Sequence, residues 1–244
     1  MGDFIFPVFF LISFGLFYLG NEASKVIASL INIVLFILPL VSIVFGTMYF
    51  YNSREFMELM LAQPINRKSI FLGKFTGLTL SLSLGYVLGV GIPFVMFGMK
   101  DYSEIATFLT LILSGVCLIL IFVAIPFLIS VIFEDKVKGL SASILIWLYL
   151  SVVYDGLILF MIVTFSDYPL EQPVIYLSAL NPIDLARIMM LLKIDMSALM
   201  VYTGAIFKKF FGSSMGLGIS FFSLVLWIIF PLLAGLKLFN KKDF

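Results

Sequence analysis

Few side chains in this 244-residue chain could carry out chemistry, and the types that are missing narrow the choice first. It has no histidine and one cysteine, Cys117, set deep in an apolar run. A Ser/His pair, an H-E-x-x-H site and a His- or thiolate-held zinc, haem or iron–sulfur centre therefore cannot be assembled from this chain. Nor is there a G-x-x-x-x-G-K-[ST] loop to cradle phosphates, so the chain does not hydrolyse ATP by itself. We expect no catalytic residue and no bound cofactor. Twelve methionines offer soft thioether ligands of the kind copper(I) takes, and Met189, Met190, Met196 and Met200 fall close together. Methionine is also the adaptable filler of apolar packing, and without His or Cys beside it we assign no metal site.

One acid stands apart. Asp155 lies well inside a long apolar stretch, with Tyr154 beside it. If that stretch crosses a bilayer, an ionisable group there costs ~2.5–3.5 kcal/mol on insertion scales and should face the bundle interior with a partner. A role in a transport pathway and a purely structural hydrogen bond both fit Tyr154 and Asp155.

The elements that hold these residues follow from composition. Apolar residues make up 62% of the chain and charged ones 12%, with 28 Phe and a mean hydropathy of +1.19. Soluble domains run at ~45–50% and ~25%, so this is an integral membrane protein. Fifteen Lys+Arg against fourteen Asp+Glu leave a net charge of +1, which removes any electrostatic case for a nucleic-acid partner.

About 20 apolar residues at 1.5 Å each cross a bilayer. Six such runs are predicted, over 4–19, 30–50, 75–97, 105–133, 139–165 and 212–236. They are apolar on every face, which suits helices rather than the alternating strands of a barrel. The first run has Gly2-Asp3 rather than a basic lead, so we read it as a retained helix and expect the native gene to begin upstream of Met1. Nine Lys and Arg fall in the loops 51–74, 134–138 and the tail, against six in the longer opposite loops, which predicts cytoplasmic termini. Gly85 and Gly89 form a G-x-x-x-G where helices could approach closely, and Pro39, Pro93, Pro126 and Pro231 should bend or open four of the spans.

Two segments are not spans. In the loop 51–74, Asn52 with Glu55 resembles a capping box, Phe56, Leu59, Met60 and Gln63 fall at helical spacing, and Pro64 stops the helix. Its apolar ridge, flanked by Glu55, Glu58, Arg67 and Lys68, has the form of a helix-in-groove contact. In the loop 166–211, Asn181-Pro182 with Asp184 marks a helix start, followed by Arg187. Asp195 can cap a second helix carrying Met196 and Met200. We expect this pair to lie at the outer membrane surface or to dip partly into it.

The stretch running through Glu58, Leu59, Leu61, Gln63, Pro64, Arg67, Gly73 and Lys74 resembles the loop before the third span of ABC-2-type permeases, the membrane subunits of ATP-driven transporters. Asp135-Lys136-Val137-Lys138-Gly139, Trp147, the Tyr154-Asp155 pair, and Asn181-Pro182 with Asp184 and Arg187 are similar to the NosY-like permeases of the nitrous-oxide-reductase maturation transporter. Where family members often carry Gly-Thr, this chain has Glu55-Phe56. The resemblance implies an all-α six-helix transmembrane bundle forming a single permease domain over 1–244, with a cytoplasmic coupling helix and an outer interfacial helix pair. It implies a homodimer in the bacterial inner membrane, with each copy docking a separate ATPase that binds ATP and Mg. Glu55, Phe56, Glu58, Leu59, Met60, Pro64, Arg67 and Lys68 would make the ATPase contact. A periplasmic copper-handling protein is the implied further partner, with Asn181, Asp184, Arg187, Met196 and Met200 as its expected contacts. The alternatives are an ABC-2 permease for another substrate and a membrane-embedded lipid-modifying enzyme.

Overall fold

The computed structural model describes residues 2–20, 23–61, 63, 65–97, 102–165, 171–191 and 214–241. Among these the chain is helical, as a backbone without water to satisfy it must be. The elements are α1 (Gly2–Leu19), α2 (Ala23–Asn52), α3 (Arg54–Leu61), α4 (Arg67–Phe97), α5 (Tyr102–Ile132), α6 (Lys136–Leu148), a π-helical segment (Tyr149–Val153), α7 (Tyr154–Thr164), α8 (Glu171–Leu180), α9 (Pro182–Leu191) and α10 (Ser214–Lys241). Five stretches are long and apolar enough to cross a membrane: α2, α4, α5, the continuous α6–π–α7 and α10; α1 is a shorter apolar helix. The five fall on the last five of the six runs expected from the sequence, while the first run, 4–19, falls in the shorter α1.

Local signals set the helix starts. The Asn66 side chain accepts the Lys68 N–H at 3.0 Å, so α4 begins at Arg67, two turns ahead of the charge-free run. Asp135 accepts the N–H groups of Val137 and Lys138 at 2.8 and 2.9 Å and so caps α6. Those bonds, that from Lys138 foremost, hold its carboxyl below the usual range. Asn52 does not cap α3 as expected. It ends α2, and its side-chain oxygen accepts from Lys136 Nζ at 2.9 Å. The four prolines sit inside continuous helices, and the change of pitch falls instead at Tyr149–Val153, which contains none.

α5 is the hub, packed by α2, α4, α6, α9 and α10. Of its most apolar stretch 78% is buried, against 17% in α6–π–α7 and 22% in α10, which leaves those two facing outward. Around Phe127, the rings of Phe50, Phe71 and Phe75 stack edge-on at 5.4–5.8 Å, joining α2, α4 and α5 near α3. α1 lies on α4 at the predicted G-x-x-x-G: a Cβ on Gly89 would come within 3.0 Å of the Phe6 carbonyl oxygen and the Phe9 Cβ.

Candidate functional site

At the end of the bundle opposite α3, five residues named separately from the sequence meet in one polar cluster. Asp155 lies on α7, 19 positions after the start of α6 at Lys136, or about 28 Å along the helix, near the far edge of an apolar layer. Its carboxylate pairs with Arg187 Nη1 at 2.8 Å, and the same nitrogen meets Asp184 at 3.0 Å. Asn181 joins the elements. Its Oδ1 accepts the Ile183 N–H at 3.1 Å and caps α9, while its Nδ2 reaches Asp184 at 3.1 Å and the Leu150 carbonyl at 2.8 Å. The last of these bonds serves the π segment, whose widened turn loosens the ordinary i→i−4 ladder. Tyr154 donates to the Leu177 carbonyl of α8 at 2.7 Å.

The burial of these groups explains their pairing. Asn181 and Asp184 are almost wholly enclosed, whereas the Arg187 and Asp155 side chains keep 32% and 27% of their surface. Burial, reinforced by the neighbouring Asp155 carboxylate, pushes the Asp184 carboxyl above its usual range, with Arg187 and Asn181 opposing. Two carboxylates share one guanidinium, so a proton on Asp184 relieves an excess of negative charge. The Asp155–Arg187 pair ties α7 to α9. Among the described residues the cluster brings no acid and base together around an open site.

α9 does not rest on a surface. Every residue of α9 from Pro182 to Met190 is buried except Arg187, because the helix is inserted among α2, α5, α10 and the π segment. Its partner is α8, a helix that the sequence pattern does not predict. The expected second helix with Met196 and Met200 lies outside the described residues, as does Pro64.

The other candidate surface is α3. Phe56 and Leu59 are 58% and 69% exposed, with Glu55 and Glu58 also outward. Met57 is fully buried and Met60 packs half-buried on the core, so the inward face sits one residue from the expected ridge. Glu58 pairs with Arg54 at 3.3 Å. Arg67 and Lys68 form the first turn of α4, and Lys74 Nζ lies over the Phe56 and Tyr49 rings at 5.1 and 5.4 Å.

Known proteins supply the context. The family described as "ABC-2 family transporter protein" matches residues 8–244. A protein of Stutzerimonas stutzeri named "Probable ABC transporter permease protein NosY" is 25% identical over 197 residues, covering 74% of this chain and 71% of its own. Its namesake from Pseudomonas aeruginosa is 24% identical over 207 residues, covering 78% and 75%.

Proposed function

The chain belongs to the ABC-2 family of transporter proteins, and from that premise we propose a permease acting in maturation of the copper centre of nitrous-oxide reductase. Membership makes it a multi-pass membrane subunit without ATPase activity, partnered by separate ABC ATPase subunits. The finer assignment is supported by the likeness to the two NosY proteins and by the motifs at Asp135, Tyr154-Asp155 and Asn181-Pro182. An ABC-2 permease moving another substrate is the second reading. The mutual pairing of Asp155, Asp184 and Arg187 favours either of these over a lipid-modifying enzyme, whose acids would be turned to a substrate.

In the proposed arrangement residues 1–244 form one permease domain, two copies associate in the bacterial inner membrane, and α1 completes six spans. Both termini and α3 face the cytoplasm. The single observation that carries the docking is the outward ridge of Phe56 and Leu59 on a short helix beyond the apolar layer. Glu55, Glu58, Arg67 and Lys68 surround that ridge, and ATP and Mg stay on the partner. The Asp155–Arg187–Asp184 pairs form the outer end of the pathway, beside which a periplasmic copper-handling protein would sit. Deleting the gene and assaying the copper content of nitrous-oxide reductase tests the finer assignment. A fully copper-loaded reductase in the deletion strain would leave the broader permease reading and remove this one.

A further inference from the structure

The turn at 133–136, which leads from α5 into α6, is gripped by the junction of α2 and α3. Tyr51 donates its hydroxyl to the Phe133 carbonyl at 2.6 Å. Arg54 Nη1 donates to the Glu134 carbonyl at 3.1 Å, and Lys136 Nζ donates back to Asn52 at 2.9 Å. Two of these bonds meet carbonyls of the turn just beyond the end of α5. The grip continues into α6. A Cβ on Gly139 would overlap the Tyr51 hydroxyl, so the first turn of α6 lies directly against that ring. One turn on, the Thr47 and Ser143 hydroxyls are 3.1 Å apart, and further along the Phe36 and Trp147 rings stack edge-on at 4.9 Å.

Gly139, Ser143 and Trp147 recur every four residues and form a stripe of α6 laid along α2. α6 is 13 residues, a rod of about 20 Å that ends in the π segment held by Asn181. The rod's base therefore touches the root of α3, and its far end leads into Asp155.

We propose that the continuous α6–π–α7 helix is the lever by which nucleotide-driven movement of α3 reaches the Asp155–Arg187–Asp184 pairs, with Tyr51 and Arg54 as its positioning residues and Gly139 as its point of bearing. The proposal rests on the reading that α3 docks the ATPase. Displacement of α3 pulls on the carbonyls at 133–134 and tilts α6 as a unit. The tilt is read at α7, where Asp155 must keep or lose its 2.8 Å pair with Arg187.

The test uses the permease co-expressed with its ATPase and reconstituted in vesicles, in a Cys117→Ser background carrying Gly156→Cys. Gly156 is exposed beside Asp155, and a Cβ there meets nothing within 4 Å. Trapping with ATP and orthovanadate should change the rate of maleimide labelling at that cysteine by about threefold, since thiol reactivity follows exposure. The Tyr51→Phe, Arg54→Met pair should lose that change while the ATPase still co-purifies and hydrolyses ATP, and Arg54→Lys should keep it. Gly139→Ala, which wedges α6 from Tyr51 without touching α3, should lose it as well. An unaltered labelling change in either the double variant or Gly139→Ala overturns the lever, as does a parent complex that shows no change on trapping. Failure of the ATPase to co-purify with the parent instead overturns the docking reading, and the lever with it.

Discussion

A guanidinium between two carboxylates sets an order of sensitivity among its members. Removing Asp155 leaves Arg187 paired with Asp184, but removing Arg187 leaves two acids facing each other without the cation they share among the described residues. We therefore expect Arg187→Leu to destabilise by about 2 kcal/mol, below the range for a fully buried pair because Arg187 is partly exposed, and Asp155→Leu by about half as much. Thermal unfolding in lipid nanodiscs measures both, and a larger loss for Asp155→Leu would show that the two acids do not share the arginine equally. Asp155→Asn keeps shape and hydrogen bonding, so we expect it to assemble with the ATPase and to lose maturation activity in a complemented deletion strain. Asp184 adds a pH dependence. Its unfolded value is near ~3.9, and burial with the Asp155 carboxylate raises the folded one, so the folded protein holds this proton more tightly. Stability from this group is full below about pH 4 and falls as the pH rises through that window toward the raised value. The slope of unfolding temperature against pH should flatten in Asp184→Asn; an identical slope in that variant would assign the titration to another group.

Helices α3 and α9 have opposite relations to the bundle although both are short. α3 turns Met57 inward and leaves Phe56 and Leu59 outside, so a charge on its outer face should break the proposed ATPase contact without disturbing any span. Leu59→Asp should cut co-purification of the ATPase by about 30-fold, equivalent to about 2 kcal/mol for a buried interface anchor, while the permease remains in the membrane. Undiminished recovery of the ATPase would move the interface away from α3. α9 is enclosed, and Asn181 ties it to the π segment by one bond and to its own first turn by another. Asn181→Ala leaves the enclosed Leu150 carbonyl and Asp184 short of a donor, at a cost of about 1–3 kcal/mol. Faster hydrogen exchange confined to 149–155 is the expected signature; unchanged exchange there would mean that the π segment stands without this bond.

On the scale of the whole chain, α3 and the α8–α9 pair occupy opposite ends of the bundle, with the spans between them. Single-cysteine variants in the Cys117→Ser background check the direction: Asn66→Cys and Lys241→Cys should label from the cytoplasm, and Tyr176→Cys from outside. Labelling of Asn66→Cys and Tyr176→Cys from one side would break the six-span arrangement. α6–π–α7 and α10 bury little within one copy, so in the proposed homodimer their outward faces would meet lipid or the second copy.

The helical class, the positions of the long runs, the lack of ATPase activity and the outward Phe56 and Leu59 of α3 were legible in the residues, because each depends on local composition, on a motif or on periodicity within one helix. The Asn181-Pro182 start was legible for the same reason, and the Asn66 cap before Arg67 had a comparable signal that the charge-free run concealed. The partner of Asp155 was not legible. Arg187 sits on another element, and its guanidinium reaches α7 only once α9 is buried among α2, α5 and α10. Nor did the spans announce the π segment, where proline would have been the local cue and the carbonyl partner comes instead from Asn181, remote in the chain. Local propensity thus specified which residues are helical, while packing between distant segments selected which polar groups meet, since a buried charge takes the partner that the fold brings within reach.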